Sequence, residues 1–239
     1  MKRHAALVIV VVFFAAGCNN GSPVIDVSDR SYEPIINPAD FVSQIDNQYL
    51  PLIPGTTFIY EGKTEDVREK IEVIVTHDTK EILGVTCIVV RDTVSVDGKL
   101  VEDTYDWFAQ DKDGNVWYFG EDSNDYENGK LTGSAGSWEA GVDGAKPGII
   151  MKADPQIGDA YRQEYYKGEA EDLAEVISLD ESISVRYGPF ENCLKTKEWT
   201  PLEPDVVENK YYAPGIGLVS EVTVKGGEDK VDLVEMKTQ

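Results

Sequence analysis

Histidine is nearly missing from this chain. Its 239 residues hold two, His4 and His77, and three cysteines, Cys18, Cys87 and Cys193, that do not cluster. A zinc or haem centre of the usual kind needs several such ligands together, so no metal and no cofactor are expected. There is also no G-x-S-x-G elbow and no phosphate-binding glycine loop. With His4 in a segment that reads as a removable leader, His77 is the one imidazole left to act as a base near neutral pH. No catalytic constellation emerges, and the chain is read as a non-enzyme. Carboxylates are abundant, so a glycosidase-like pair stays open as an alternative. Positive charge is scarce: Lys and Arg number 22 against 44 Asp and Glu, for a net charge of −22. Phosphate recognition needs a basic face, so nucleic acid is excluded as a partner. Long apolar runs are scarce too. The stretch from Ala5 to Ala16 falls short of the roughly 20 residues that span a bilayer.

That run comes after Met1-Lys2-Arg3-His4 and ends in Ala15-Ala16-Gly17-Cys18. A basic start, a short apolar stretch and small residues before a cleavage point describe a secretory signal. The ending resembles the lipobox of bacterial lipoproteins, with alanine where leucine is usual. The resemblance implies that residues 1–17 are a lipoprotein signal peptide and that Cys18 is the lipidation site. It further implies attachment to a membrane through acyl chains. Asn19 comes next in place of the aspartate that retains such proteins at an inner membrane, which points to the cell outer membrane. Residues 18–36, NNGSPVIDVSDRSYEPII after the cysteine, read as a flexible tether. Residues 37–239 then form a single domain large enough for a substantial core.

Cys87 and Cys193 remain for that domain. Export would place them in an oxidising compartment where a disulfide can form. Their contexts, VTCIVV and NCLKTK, are equally those of packed free thiols. Both readings stand.

The domain alternates with period two almost throughout. Asn37, Pro38 and Asp40 signal one short helix over NPADFVSQIDNQYL. After it, strands are expected near 56–62, 69–77, 85–96, 100–109, 115–120, 159–167, 171–179, 182–188, 192–200, 207–213, 217–225 and 230–236. Asp97-Gly98, Asp113-Gly114, Asn128-Gly129 and Gly226-Gly227 supply turns between them. The fold class is all-β: one large, strongly curved antiparallel sheet, barrel or half-barrel, with the short N-terminal helix.

WFAQDKDGNVWYFGED (107–122) has the look of a calcium loop. An EF-hand needs glycine at its sixth position and glutamate at its twelfth. Counting from Asp111, those places hold Val116 and Asp122, and the flanks are strand-like. DKDGN is a hairpin turn. The next stretch, EDSNDYENGK, reads as an acidic loop whose Glu121, Asp122, Asp125 and Glu127 leave a looser cation site open.

Alternation sets Tyr105 and Trp107 on one face of their strand, and Trp117 and Phe119 share a face across the turn. Such aromatics pack as core, line an apolar ligand cavity, or form a sugar-stacking platform with Asp103 and Asp106 as hydrogen-bond acceptors. Residues 133–158 are glycine-rich and poorly alternating, and carry Trp138, Ile149, Ile150 and Met151. They read as a strap or lid folded over that aromatic face. Tyr105, Trp107, Trp117, Phe119 and Trp138 are the candidate ligand-binding residues.

YYAPGIGLV (211–219), after YGPFENCLKTKEW (187–199), resembles a C-terminal segment of uncharacterised bacterial envelope lipoproteins. Those proteins are similar in layout to the curved-sheet carriers of lipoprotein sorting. The resemblance implies a lipid-anchored envelope protein with a non-catalytic binding or carrier role for an apolar or amphipathic small molecule. A structural envelope protein that binds other envelope proteins is the alternative, with a glycan-directed domain behind it.

Overall fold

The computed structural model describes residues 32–64 and 67–238. The expected signal peptide, Cys18 and the tether up to residue 31 lie outside the described residues. The strands run in order: β1 (Phe41–Val42), β2 (Ile45–Asp46), β3 (Pro51–Leu52), β4 (Thr56–Thr64), β5 (Val67–Ile82), β6 (Val85–Val96), β7 (Lys99–Asp111), β8 (Val116–Glu127) and β9 (Lys130–Gly133). They continue with β10 (Trp138–Glu139), β11 (Lys146–Met151), β12 (Ala160–Arg162), β13 (Glu164–Tyr165), β14 (Leu173–Ser184), β15 (Pro189–Trp199), β16 (Val207–Ala213), β17 (Gly217–Lys225) and β18 (Lys230–Thr238). All but β2 and β3 join one 16-stranded antiparallel sheet.

Its main order is β12-β14-β15-β16-β17-β18-β4-β5-β6-β7-β8-β11-β13. The two edge strands, β12 and β13, are neighbours in the chain with Gln163 between them. Ala160–Arg162 pairs with β14 and Glu164–Tyr165 with β11, so the chain steps across the gap at one residue and nearly closes a barrel. Gly148 makes that step feasible. A Cβ there would stand 2.3 Å from the Gln163 carbonyl carbon, inside any allowed contact.

The expected helix does not form. Asn37 caps and Pro38 opens a turn, but the turn is a single 3-10 element, Pro38–Asp40. Phe41–Val42 then pairs with Asp111 and Gln110, and the Asp46 and Asn47 amides donate to the Gln110 side chain at 2.9 Å. These tertiary partners outcompete a helix too short to hold itself. Segment 45–52 instead caps one end of the barrel. Asn47 bonds the Gly114 and Lys152 carbonyls, and Gly215 donates to the Gln48 carbonyl.

Three further expectations change. The strands placed at 171–179 and 182–188 are one bulged strand, β14, with its turn at 185–188. The stretch expected to be an acidic loop is the second half of β8 with its hairpin into β9, so Glu121, Asp122 and Asp125 are strand residues. Within the strap, β10 and β11 add to β8. Tyr32, within the stretch expected as tether, donates its hydroxyl to the Pro147 carbonyl at 2.8 Å.

Burial tracks the curvature. The interior core gathers Phe58, Ile71, Val75, Val116, Met151, Val176, Leu194, Val219 and Leu233. A second cluster lies on the outer face of β6–β8 beneath the strap, around Cys87, Trp107, Phe119, Trp138 and Ala145. Being covered on both sides explains the apolar run CIVV (87–90) in β6, buried at every position. The two described cysteines are free thiols, Cys87 in the outer cluster and Cys193 in the interior one.

Candidate functional site

Along each strand the inward positions change character. On β7 the inward series runs Phe108, Asp106, Thr104, Glu102, and on β6 Val90 precedes Asp92. On β16 Tyr212, Lys210 and Glu208 face inward, beside Leu194, Thr196 and Glu198 of β15. The barrel half under segment 45–52 is therefore apolar, and the other half is filled with carboxyls.

A cavity of about 100 Å³ lies where the two halves meet. Leu50, Pro51 and Leu52 of the cap, with Phe58, Phe108, Ile216 and Leu218, form its apolar wall. Asp92, Asp106, Glu164, Asp172 and Glu198 form the acidic wall, with Tyr118, Gln163, Lys210 and Tyr212. Ile216, Gly217 and Leu218 belong to the YYAPGIGLV segment, whose turn keeps Gly215 and Gly217 at positive φ.

Some of the acid groups are satisfied. The Tyr118 hydroxyl donates to Asp106 at 2.7 Å and the Tyr212 hydroxyl to Glu198 at 3.2 Å. The Lys210 ammonium stands 3.0 Å from Glu198 and 3.3 Å from Glu221. Burial alone would lower its pKa, but those carboxylates together hold it above the ordinary value. Among the described lining residues Lys210 is the one cation.

Asp92 is different. It is 2% exposed, its Oδ1 has no hydrogen-bond partner, and the same is true of Gln163 Nε2 at 3%. Burial, then the charges of Asp106, Glu102, Glu69 and Glu221, raises the Asp92 carboxyl well above its usual range. Burial also pushes Asp106 up to about 7, Glu102 to about 8 and Glu69 to about 7. Of these four, Asp92 and Asp106 line the cavity, and shifted carboxyls in a cleft mark a candidate functional site.

The sequence candidates lie elsewhere. Trp107, Phe119 and Trp138 are brought together in the outer cluster, with Tyr105 and Trp117 half-buried at its margin. Phe41 meets Phe119 edge-on at 5.6 Å, Lys80 sits 3.2 Å over the Trp107 ring, and the Trp117 indole donates to Asp111. The described cavity lining includes none of the five. Trp138 comes nearest: its indole N–H donates to Glu164 at 2.9 Å and its ring stands edge-on to Tyr118. Of the two carboxylates offered for a sugar platform, Asp106 lines the cavity and Asp103 does not; reading the even positions of β7 as one face would have added Glu102, since a turn at 112–115 fixes both faces. Cys18, the expected lipidation site, is outside the described residues. Asp111, Asp113 and Asn115 make a turn: Gly114, at a φ of 93°, donates to the Asp111 carbonyl at 3.0 Å. No group of three or more acidic, histidine or cysteine side chains among the described residues is arranged to hold a metal ion.

No protein-family model and no curated protein matches the chain. Two solved structures are similar in layout. One, from Bacteroides fragilis, is provisionally described as an exported protein with a YmcC-like fold; at 18% identity and a TM-score of 0.48, the match covers 80% of this chain and all of that one. The other, from Parabacteroides distasonis, is provisionally described as a lipoprotein; at 15% identity and a TM-score of 0.40, it covers 81% of this chain and all of that one.

Proposed function

We propose that the protein is a lipid-anchored binding or carrier protein of the cell envelope, without catalytic activity, that takes a small amphipathic molecule into its barrel. The carrying observation is the cavity with one apolar and one acidic wall. The N-terminal run ending in Gly17-Cys18 supports the anchor, and Asn19 the outer membrane. At about 100 Å³ the space takes roughly three waters or a group of a few carbon atoms. Small-molecule sites are typically about 300 Å³ or more, so the ligand's head enters and its remainder lies toward the 45–52 cap.

Thermal unfolding with a panel of short alcohols, amines and acids tests the binding role. A ligand at about 100 times its Kd adds ~2.7 kcal/mol. Val90 is buried on the cavity wall, so Val90→Phe should abolish the shift while the protein stays folded. If no compound shifts the wild type, the binding role is wrong. Acyl labelling that is lost in Cys18→Ala tests the anchor separately.

A further inference from the structure

We propose that the cavity is a site for an organic ammonium group, with the Asp92 carboxylate as its counter-ion. The inference rests on the binding role above and names the chemistry of the ligand's head.

The acidic wall alone would not carry this, since buried carboxyls can share protons and stay neutral. What distinguishes the site is which atoms are left over. Asp106 has the Tyr118 hydroxyl, Glu198 has Tyr212 and Lys210, and Glu164 has the Trp138 indole. Asp92, on the same wall, has an oxygen with nothing to receive from, at 2% exposure. Gln163, at the barrel seam, has an amide nitrogen with nothing to donate to. The Asp92 oxygen is the acceptor that an ammonium N–H answers; the Gln163 amide nitrogen is not answered by it, because an ammonium has no acceptor. Buried polar groups in proteins are satisfied in the great majority of cases; Glu102 Oε2, Tyr161 Oη and Glu208 Oε1 are also unpartnered here, but those residues do not line the cavity.

Charge chooses the occupant's sign. The groups around Asp92 are Asp106 and Glu102 from β7, Glu69 from β5, Glu221 from β17 and the neutral Tyr60 from β4. Lys210 is already engaged by Glu198 and Glu221. An anion would meet carboxyls on every side, and an alcohol would leave the acidic wall protonated. An ammonium supplies three donors and a charge. The described residues offer no clustered ligand set for a metal ion, so the arrangement favours an organic cation. The apolar wall of Phe58, Phe108 and Leu218 takes the short chain that carries it.

Burial and the neighbouring carboxyls favour the protonated form of Asp92 in the empty site, so ammonium binding is expected to expel a proton. Affinity should then rise with pH while the amine stays charged.

Calorimetry with n-butylammonium, n-butanol and butyrate tests this. At about pH 8 the ammonium should bind at least about ten-fold tighter than the alcohol, and butyrate weakest of the three. The preference should shrink toward about pH 5. The binding heat should vary with the buffer's ionisation enthalpy, reporting a released proton. Asp92→Asn should bind butanol as the wild type does and lose the preference. If that variant does not fold, the pH dependence and proton release of the wild type decide. Equal binding of ammonium and alcohol at every pH overturns the ammonium site and leaves the binding role standing. No binding by any of the three, with water as the sole occupant, overturns both.

Discussion

The indole N–H of Trp138 reaches through the barrel wall to the carboxyl of Glu164, 2.9 Å away. This bond links the Trp138 end of the strap, on the outer face of β8, to a carboxyl of the cavity lining, which the strap's own Ile150 also reaches. It also explains why a largely irregular segment holds its place, with Trp138 only 4% exposed. Trp138→Phe keeps most of the ring and leaves a buried acceptor unpaired, which should cost ~1–3 kcal/mol in urea unfolding. Trp138→Ala should cost ~3–5 kcal/mol. If both substitutions cost the same, the bond contributes nothing.

Stability should fall as pH rises. The folded-state carboxyls of Glu69, Asp106 and Glu102 are raised to about 7, 7 and 8. In the unfolded chain such groups titrate near their ordinary value of about 4. Between the two limits the folded state binds more protons, so its stability is greatest below about pH 4 and declines until about pH 8. Urea midpoints from about pH 4 to 8 check this. A midpoint that rises across that window contradicts the buried acid layer.

Lys210 should matter most where the acids are charged. Its ammonium is 5% exposed and bridges Glu198 and Glu221. Lys210→Met at neutral pH should cost ~3–5 kcal/mol, the usual effect of orphaning one side of a buried pair. Adding Glu198→Gln and Glu221→Gln should restore much of the loss. As pH falls and the raised Glu221 carboxyl takes up its proton, the single substitution should cost less. A cost independent of pH would mean that Lys210 acts through packing alone.

The barrel seam should be sensitive at Gly148. A methyl there meets the Gln163 backbone at 2.3 Å, so Gly148→Ala must push β11 and the crossing strand apart. A loss of ~1–3 kcal/mol is expected. Faster hydrogen exchange at the amides of residues 161–165 would locate the damage, and unchanged exchange there would refute it.

Alternation made the sheet legible because most of these strands bury one face and hydrate the other. The bounds of β6, β16 and β17 match the sequence reading residue for residue. The helix signal at Asn37-Pro38 marks a real turn start, but Gln110, distant in sequence, sets the backbone beyond it. The strap defeated periodicity because β10 and β11 are short additions to β8 rather than alternating strands. The cavity was hidden for a different reason. Charged residues are ordinarily assigned to the wet face of a strand, and here Asp92, Glu102 and Asp106 face inward. The aromatics were conspicuous and lie outside; the acids were numerous and lie inside.

The register of β4 against β18 runs from Lys63↔Lys230 to Thr56↔Thr238. The first long strand is therefore held by the last one, across almost the whole length of the domain. Until β18 is in place, β4 and β17 each present an open row of backbone donors and acceptors, which is the form in which strands self-associate. Closure at so large a sequence separation is also slow. The vulnerable period of this protein is its birth: truncation of β18 should produce aggregates rather than a smaller barrel, whatever the stability of the finished ring.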